Sequence, residues 1–498
     1  MNRIGHIIDG KTLTEGAATG PVFNPATGKQ SAEVMFGDAD TVDAAVSAAR
    51  KAQAEWAKTP PAKRASIMFA MREVMTRRRD EIAETISAEH GKTHDDALGE
   101  VTRALEVVEF ACGAPHLLKG NFSRDVAGGV DTHADREPLG VVAGITPFNF
   151  PSMVPLWMVP MALVCGNAFI LKPSEKDPSS ANLIHDMLSE AGLPAGVLNV
   201  VHGDKQVVDA ILDHPDIAAV SFVGSTPIAE YVYQRGCVAG KRVQALGGAK
   251  NHMIIMPDAD LDQAADALLG AGFGSAGERC MAVSVAVPVG DETANRLVEN
   301  LAPRVRAMKI GPSTDSEAEM GPLITAAHRD RVARLIGQGE GEGAEVVVDG
   351  RGLNMQGYGD GYWLGGTLLD RVKPGMSVYD EEIFGPVLSV ARAKSYDDAV
   401  EMISANPYAN GTAIFTRDGD AARDFTSRIK VGMVGVNVPI PVPVGYHSFG
   451  GWKRSSFGAH GIYGPEAIHF YTRLKTVTTR WPTGIRAGAD FKFPTMGS

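Results

Sequence analysis

The sequence predicts an α/β protein of two lobes, each a parallel sheet covered by helices, with a small β arm beside them. Three observations carry that prediction. The chain has 498 residues, too many for one ordinary hydrophobic core, so more than one lobe is expected. From residue 138, short β-branched runs alternate with helical segments at the pitch of a parallel sheet, and the rhythm starts again after residue 247. Two stretches, 122–138 and the tail segment HFYTRLKTVTTRWP, fit neither lobe and alternate polar and apolar residues as edge strands do. Such edges tend to be covered or paired, and pairing with another subunit is one way.

Residues 38–111 read as three helices. The first starts at aspartates suited to an N-cap and carries alanine and valine at helical spacing. The second, beginning PPAKRASIMF, stops at Gly91, a C-cap residue. The third is DDALGEVTRALEVVEFACGAPHLLKG. In the first lobe, strands PLGVVAGI, AFILK, GVLNVV and IAAVSFV are separated by helices, SSANLIHDMLSEAG among them. In the second, NHMIIMP and MAVSVAVP are strands, while LDQAADALLGAGF and ETANRLVENLAPRVRAM are helices.

Apolar residues make up 44% and charged residues 21% of the chain, close to the soluble average and far from a disordered or fibrous composition. The net charge of -11, with no lysine/arginine stripe, speaks against nucleic acid. Arg77, Arg78 and Arg79 read as a solvated helix end. No apolar run reaches the ~18–20 residues that span a bilayer, and the start has neither a signal h-region nor a transit-peptide composition, so a cytoplasmic location is expected. The four cysteines (Cys112, Cys165, Cys237, Cys280) form no CxxC pair, and the 13 histidines show no HExxH. Neither a disulfide framework nor a metal is expected.

Several motifs carry two readings each. Cys280 lies in GFGSAGERCMAVSVAV. A lone free cysteine is commonly a small buried hydrophobe. This one follows a glycine-rich bend and adjoins Arg279, and both features favour a thiolate nucleophile. Gly224, Ser225 and Thr226 join a strand to a helix, where a phosphate binds or where small residues serve packing alone. Lys172 and Glu175 follow a strand, as a ribose-binding pair in a dinucleotide fold would, or as a surface ion pair. Asn149 in TPFNFP is an oxyanion donor or a turn asparagine. Glu381 and Glu382, before Phe384, grip a ribose or form a solvated acidic turn.

These motifs occur together and in one order. FNPATG, TPFNFP, LKPSE, FVGST, LGG, GERC, EEIFGPV and GGWKRSSFG resemble the aldehyde dehydrogenase superfamily from about residue 20 to 482. The resemblance implies Cys280 as nucleophile and Asn149 in the oxyanion hole. It implies NAD bound by Thr146, Phe148, Lys172, Glu175, Lys176, Gly224, Ser225, Gly247, Glu382 and Phe384. The implied fold has a Rossmann-like NAD domain (1–120 and 139–246, with 447–466 returning to it) and an α/β catalytic domain (247–446). A small oligomerisation arm (121–138 and 467–498) implies a homo-oligomer, dimer or tetramer.

Hydrolytic members of the superfamily carry glutamate immediately before LGG, and here that position is Ala245. A thioacyl-cysteine without that base needs another acceptor, and a thiol attacks thioesters as thiolate. Coenzyme A is therefore the expected co-substrate. GGAKNH, NVPIPVPVGYHSFGGWK and RALEVVEFACGAPHLLKG resemble the CoA-acylating branch that oxidises methylmalonate and malonate semialdehydes to propionyl-CoA and acetyl-CoA. A hydrolytic enzyme recruiting Glu278 or Glu382 as base is the alternative. The substrate carboxylate calls for cations, and the resemblance offers Arg103 and Arg279 as a clamp. A helix pair of Arg103 with Glu100 or Glu106 is the other reading. Two departures stand out. Glu278 replaces the usual glutamine and brings a charge that opposes a thiolate, unless it turns away or pairs with an arginine. Ala229 replaces a common glycine and is expected to shift helix packing.

Overall fold

The computed structural model describes residues 2–482. Its larger sheet has eight strands, in the order Ser456–Phe457, Arg242–Leu246, Ile217–Val223, Val141–Ile145, Ala168–Lys172, Leu198–Val200, His6–Ile8 and Lys11–Leu13. The five strands from Arg242–Leu246 to Leu198–Val200 run parallel. Val141–Ile145 and Ala168–Lys172 are buried at every position. Helices cover both faces, which is why these strands read as unbroken apolar runs. The chain begins its parallel strands at Val141–Ile145, adds two on one side, then crosses to Ile217–Val223 on the other. The order reverses between those two strands, and a crevice opens outside the carboxyl ends of strands at such a point.

The second sheet has seven strands, in the order Glu345–Val348, Thr367–Asp370, Val387–Val390, Val283–Pro288, Asn251–Ile255, Gly411–Phe415 and Met433–Val436. All its neighbours are parallel except the outermost pair. The chain passes from Leu246, at the carboxyl end of the first sheet, to Asn251, at the amino end of the second, through Gly247–Lys250. The two active ends therefore face one another across a short connection.

Helix Ala39–Trp56 starts with Asp38 and Thr41 in a reciprocal capping box, and Gly91 closes helix Arg79–His90 in the left-handed conformation. The stretch read as one long second helix is two, Pro61–Arg77 and Arg79–His90, divided at Arg78. Arg77 and Arg78 meet Glu190 at that division, on the surface. Helix Met153–Val164, which the sequence reading passes over, is buried along its whole length. A small antiparallel-and-parallel sheet of Asn2–Ile4, Lys29–Phe36 and Ala18–Asn24 was likewise not foreseen.

The two alternating stretches come together in one antiparallel sheet. Val130–Pro138 lies between Asn121–Ala127 and Thr472–Arg480, in register from Pro138 opposite Thr472 to Val130 opposite Arg480. His469, Phe470 and Tyr471 belong to helix Pro465–Tyr471 and not to the strand that the alternation predicted. Residues 483–498 of the expected arm lie outside the described residues. Phe122, Leu474 and Trp481 stand exposed on the arm. Among the described residues no helix is long and apolar enough to cross a membrane.

Candidate active site

The loop leaving Val141–Ile145 carries Thr146, Phe148 and Asn149. Thr146 N–H donates to the Lys172 carbonyl (3.1 Å), which joins the carboxyl ends of neighbouring strands. A buried ion pair braces this loop on both sides of Asn149. Lys92 Nζ donates to the Asn149 carbonyl (2.7 Å) and to Glu100 Oε2 (2.9 Å). Glu100 Oε1 accepts from Ser152 N–H (2.8 Å) and Met153 N–H (3.0 Å) at the start of the buried helix. All of these partners are buried, so losing either charge would strand the other. The sequence reading missed Lys92 and named Glu100 only as an alternative partner of Arg103. A signal existed for Glu100: it sits on the buried stripe of helix His94–Cys112, between Ala97 and Ala104.

Cys280 follows a tight left-handed turn. Ser275, Ala276 and Gly277 all have positive φ (54°, 53° and 71°). Left-handed non-glycine residues cost about 1–3 kcal/mol each and persist only where their surroundings enforce them. Here Asp96 is part of the enforcement: its Oδ2 accepts from Ser275 N–H (2.8 Å). Gly277 is required for a second reason. A Cβ there would lie 2.2 Å from the Gly385 carbonyl oxygen, so the cysteine loop and the EEIFGPV loop meet backbone to backbone. The Cys280 carbonyl accepts from Asn251 Nδ2 (2.9 Å) and Asn410 Nδ2 (3.2 Å), at the amino ends of two adjacent strands.

Two large cavities open onto Cys280, the one residue that lines both, and a third of only 10 Å³ also touches it. The first, of 490 Å³, lies at the carboxyl end of the large sheet. Phe148, Asn149, Gly224, Ser225, Gly247, Glu382 and Phe384 line it. Glu382 Oε1 accepts from Ala249 N–H (2.9 Å), and burial pushes its carboxyl up to about 7. Buried Lys250 donates to the carbonyls of Val378 and Glu381 (2.7 Å each) and so holds the acidic loop. Phe384 has φ 56° and packs edge-on against Phe148, with centroids 5.9 Å apart. Thr146, Lys172, Glu175 and Lys176 stand outside this lining, at the neighbouring strand ends. Lys172 Nζ is 3.3 Å from Glu175, and Lys176 Nζ lies 4.5 Å from the Phe148 ring centroid. Burial alone would raise Glu175, but Lys172 beside it brings the carboxyl below its ordinary value.

The second cavity, of 340 Å³, is walled by Phe150, Met153, Trp157, Met281, Ile440 and Val442, with Arg103 and Arg279 on it. The structure thus brings both expected arginines to the thiol's other side. Each is already partnered. Arg103 pairs with Glu106 (2.8 Å) and donates to the Pro443 carbonyl (2.7 Å), so the helix pair anticipated as an alternative does exist. Arg279 pairs with Asp96.

Three electrostatic expectations are corrected. Cys280 does not rest as a thiolate: burial first, and the Glu382 charge second, push its thiol up to about 12. Arg279 opposes this only weakly, since Asp96 offsets its charge. Glu278 adds no charge to oppose the sulfur, because burial pushes its carboxyl up to about 8 and leaves it protonated at neutral pH. Of the two expected escapes it takes the first: it turns away, lining neither cavity, and faces His90 (3.8 Å) and His328 (3.6 Å) and not an arginine. Ala229 is fully buried against the sheet and keeps the helix's first turn, its N–H donating to the Ser225 carbonyl (2.9 Å).

A cysteine shared by a strand-end crevice and an apolar, arginine-bearing cavity fits a dehydrogenase that forms a covalent thioacyl group. The family profile agrees: the description Aldehyde dehydrogenase family matches residues 13–477, and the chain belongs to that family. Among curated proteins it is 55% identical over 497 residues, covering 100% of both chains, to a malonate-semialdehyde dehydrogenase of Pseudomonas aeruginosa. Among solved structures it is similar to a methylmalonate-semialdehyde dehydrogenase of Oceanimonas doudoroffii, with 56% identity, TM-score 0.96 and coverage of 98% of this chain and 100% of the other. A Sinorhizobium meliloti protein assigned to the methylmalonate-semialdehyde dehydrogenases, solved with NAD, matches at 57% identity and TM-score 0.97, over 98% and 99% of the two chains.

Proposed function

We propose that this chain oxidises malonate and methylmalonate semialdehydes with NAD⁺ and passes the acyl group to coenzyme A. The names of its full-length relatives support the substrate class, and the relative solved with NAD supports the cofactor. One observation carries the choice of acceptor: the glutamate with which hydrolytic relatives activate water has no counterpart here. The position before Leu246-Gly247-Gly248 is Ala245, fully buried in its strand. The carboxylates that line the two cavities are Asp96, Glu100, Asp380, Glu381 and Glu382, and each already holds a backbone N–H or a cation.

The cavity fits a dinucleotide. Helix Thr226–Val238 opens onto it with no side-chain cap at Ser225; Pro227 has no N–H and Ile228 N–H donates to the Ser225 carbonyl (3.1 Å), so the N–H groups of Ser225 and Thr226 are the ones that can receive the diphosphate. Thr226 Oγ1 accepts from Gly248 N–H (2.8 Å), and a Cβ on Gly248 would strike Glu382 at 2.2 Å, so this wall admits only backbone. Lys172 and Glu175 suit the adenosine ribose, with Lys176 beside them. Thr146, Phe148, Gly224, Gly247, Glu382 and Phe384 complete the cradle. NAD⁺ supplies the hydride acceptor.

The chain's own residues do the rest. Cys280 gives up its thiol proton to water in the crevice, and the sulfur then attacks the aldehyde carbon. The Asn149 amide and Cys280 N–H hold the resulting oxyanion. Asn251 and Asn410 pin the Cys280 carbonyl and so steady the backbone on which the sulfur stands. Arg103 and Arg279 exchange part of their present pairing for the substrate carboxylate. After hydride loss a malonyl-type thioester remains on the sulfur. Its β-carboxylate can depart as carbon dioxide, or with water as bicarbonate, because the thioester delocalises the electron pair left behind, and a proton from water then completes the acetyl or propionyl group. Coenzyme A thiolate then collects the acyl group. We assign residues 1–120, 139–246 and 447–466 to the NAD domain, 247–446 to the catalytic domain, and the arm to self-association in a cytoplasmic homo-oligomer.

Malonate semialdehyde is supplied to the purified protein with and without coenzyme A, and NADH is followed. Steady NADH formation should require coenzyme A and yield acetyl-CoA. Undiminished turnover without it, or a free acid as product, overturns the acyl-transfer reading in favour of a hydrolytic semialdehyde dehydrogenase.

A further inference from the structure

We propose that His460, Glu466 and His469 bind a divalent transition-metal ion of the zinc type at the root of the β arm. Glu466 sits between two imidazoles: Oε2 is 2.8 Å from His460 Nδ1, and Oε1 is 3.3 Å from His469 Nδ1. One ligand atom from each of the three residues lies within 4.8 Å of the other two. Tetrahedral zinc ligands at about 2.0–2.1 Å from the ion stand roughly 3.3 Å apart, so small side-chain rotations close the site. The imidazole rings are edge-on with centroids 6.2 Å apart, one on either side of the carboxylate. Two nitrogens and one carboxylate suit zinc and its first-row neighbours, whereas magnesium and calcium want oxygen.

The backbone beneath these ligands is held independently of any ion. Gln244 Nε2 donates to the carbonyls of His460 and Gly461 (3.2 Å each). Arg242 Nη1 donates to the carbonyls of His469 (2.9 Å), Phe470 (2.6 Å) and Thr472 (2.7 Å). Both anchors stand on strand Arg242–Leu246 of the large sheet. The backbone that carries His460 and His469 is thus fixed, while their side chains remain free to turn toward an ion. The three side chains are 31%, 40% and 43% exposed, which leaves an entry path and room for water as the remaining ligand. An ion here clips the loop at His460 to helix Pro465–Tyr471, whose end runs directly into arm strand Thr472–Arg480. The expectation of no metal looked for ligands at a helical or finger-like spacing, and here the fold assembles them instead.

The test uses tag-free, chelator-stripped, full-length protein carrying Cys280→Ala, so that the catalytic thiol cannot supply a signal. Co²⁺ should give a visible d–d absorption that saturates at one ion per chain and is displaced by Zn²⁺. His460→Gln and His469→Gln should each abolish it, and Glu466→Gln, which keeps the volume, should do the same. Zn²⁺ should raise the Tm of the parent and leave those of the variants unmoved. In the Cys280 chain the same variants should retain NADH formation, which shows that they fold. A parent with no absorption or Tm shift, or variants that keep both, overturns the proposal.

Discussion

The two sheets put opposite ends to work. In the large sheet the active loops leave the carboxyl ends of Val141–Ile145 and Ile217–Val223, where the strand order reverses. In the second sheet Cys280 and its asparagine supports stand at the amino ends of Val283–Pro288, Asn251–Ile255 and Gly411–Phe415. The difference follows from what each end offers. Carboxyl ends lead into helix starts, whose free N–H groups suit an anionic ligand. The amino ends here present two side-chain amides that seize the Cys280 carbonyl and hold that residue's backbone in place. One sheet is arranged to hold a ligand and the other to hold a nucleophile still.

The most severe way to break this comparison is Cys280→Ser. NADH formation should fall by roughly 10⁵- to 10⁶-fold, as for other nucleophile deletions, while NAD⁺ affinity by equilibrium titration stays within about twofold. A parallel loss of NAD⁺ affinity would show that the two ends are not separable. Arg103→Leu and Arg279→Leu sharpen it on the substrate side. Losing a charge-assisted contact of about 1.5–3 kcal/mol should lower kcat/KM for malonate semialdehyde by roughly 10- to 100-fold. The KM for NAD⁺ and the rate with propanal should scarcely move. Equal losses on both aldehydes would sink the clamp.

The smallest effect concerns Glu278→Gln. The folded chain holds a proton on Glu278 up to about pH 8, whereas an ordinary carboxyl loses it near 4.5. Between those values the native state binds more protons than the unfolded one, so stability falls as pH rises through that window. Tm measured from pH 5 to 9 should decline less steeply in the glutamine variant. Coincident slopes would mean that Glu278 is ionised in the fold and does confront the sulfur.

Much of this was legible because burial on two faces writes itself locally. VVAGI and AFILK read as strands since every position is covered. Helix Met153–Val164 failed the same test: it too is buried all round, carries Pro155 and Pro160, and so shows neither helical period nor helix-forming composition. Chemistry was legible where a motif is contiguous, as at Cys280, Asn149 and Glu382. It was not where a partner arrives from far along the chain. Arg279 looked like an activator of its neighbour, but Asp96 lies 183 residues away and spends that charge on itself. Lys92 reaches Asn149 across 57 residues, and nothing near either one announces it.

The glycine-to-glycine contact of Gly277 with Gly385 has a mechanical consequence. With no side chain between the two loops, there is no soft material to absorb a displacement. A side chain at Gly277 would force the Phe384 loop away from a point three residues ahead of the sulfur.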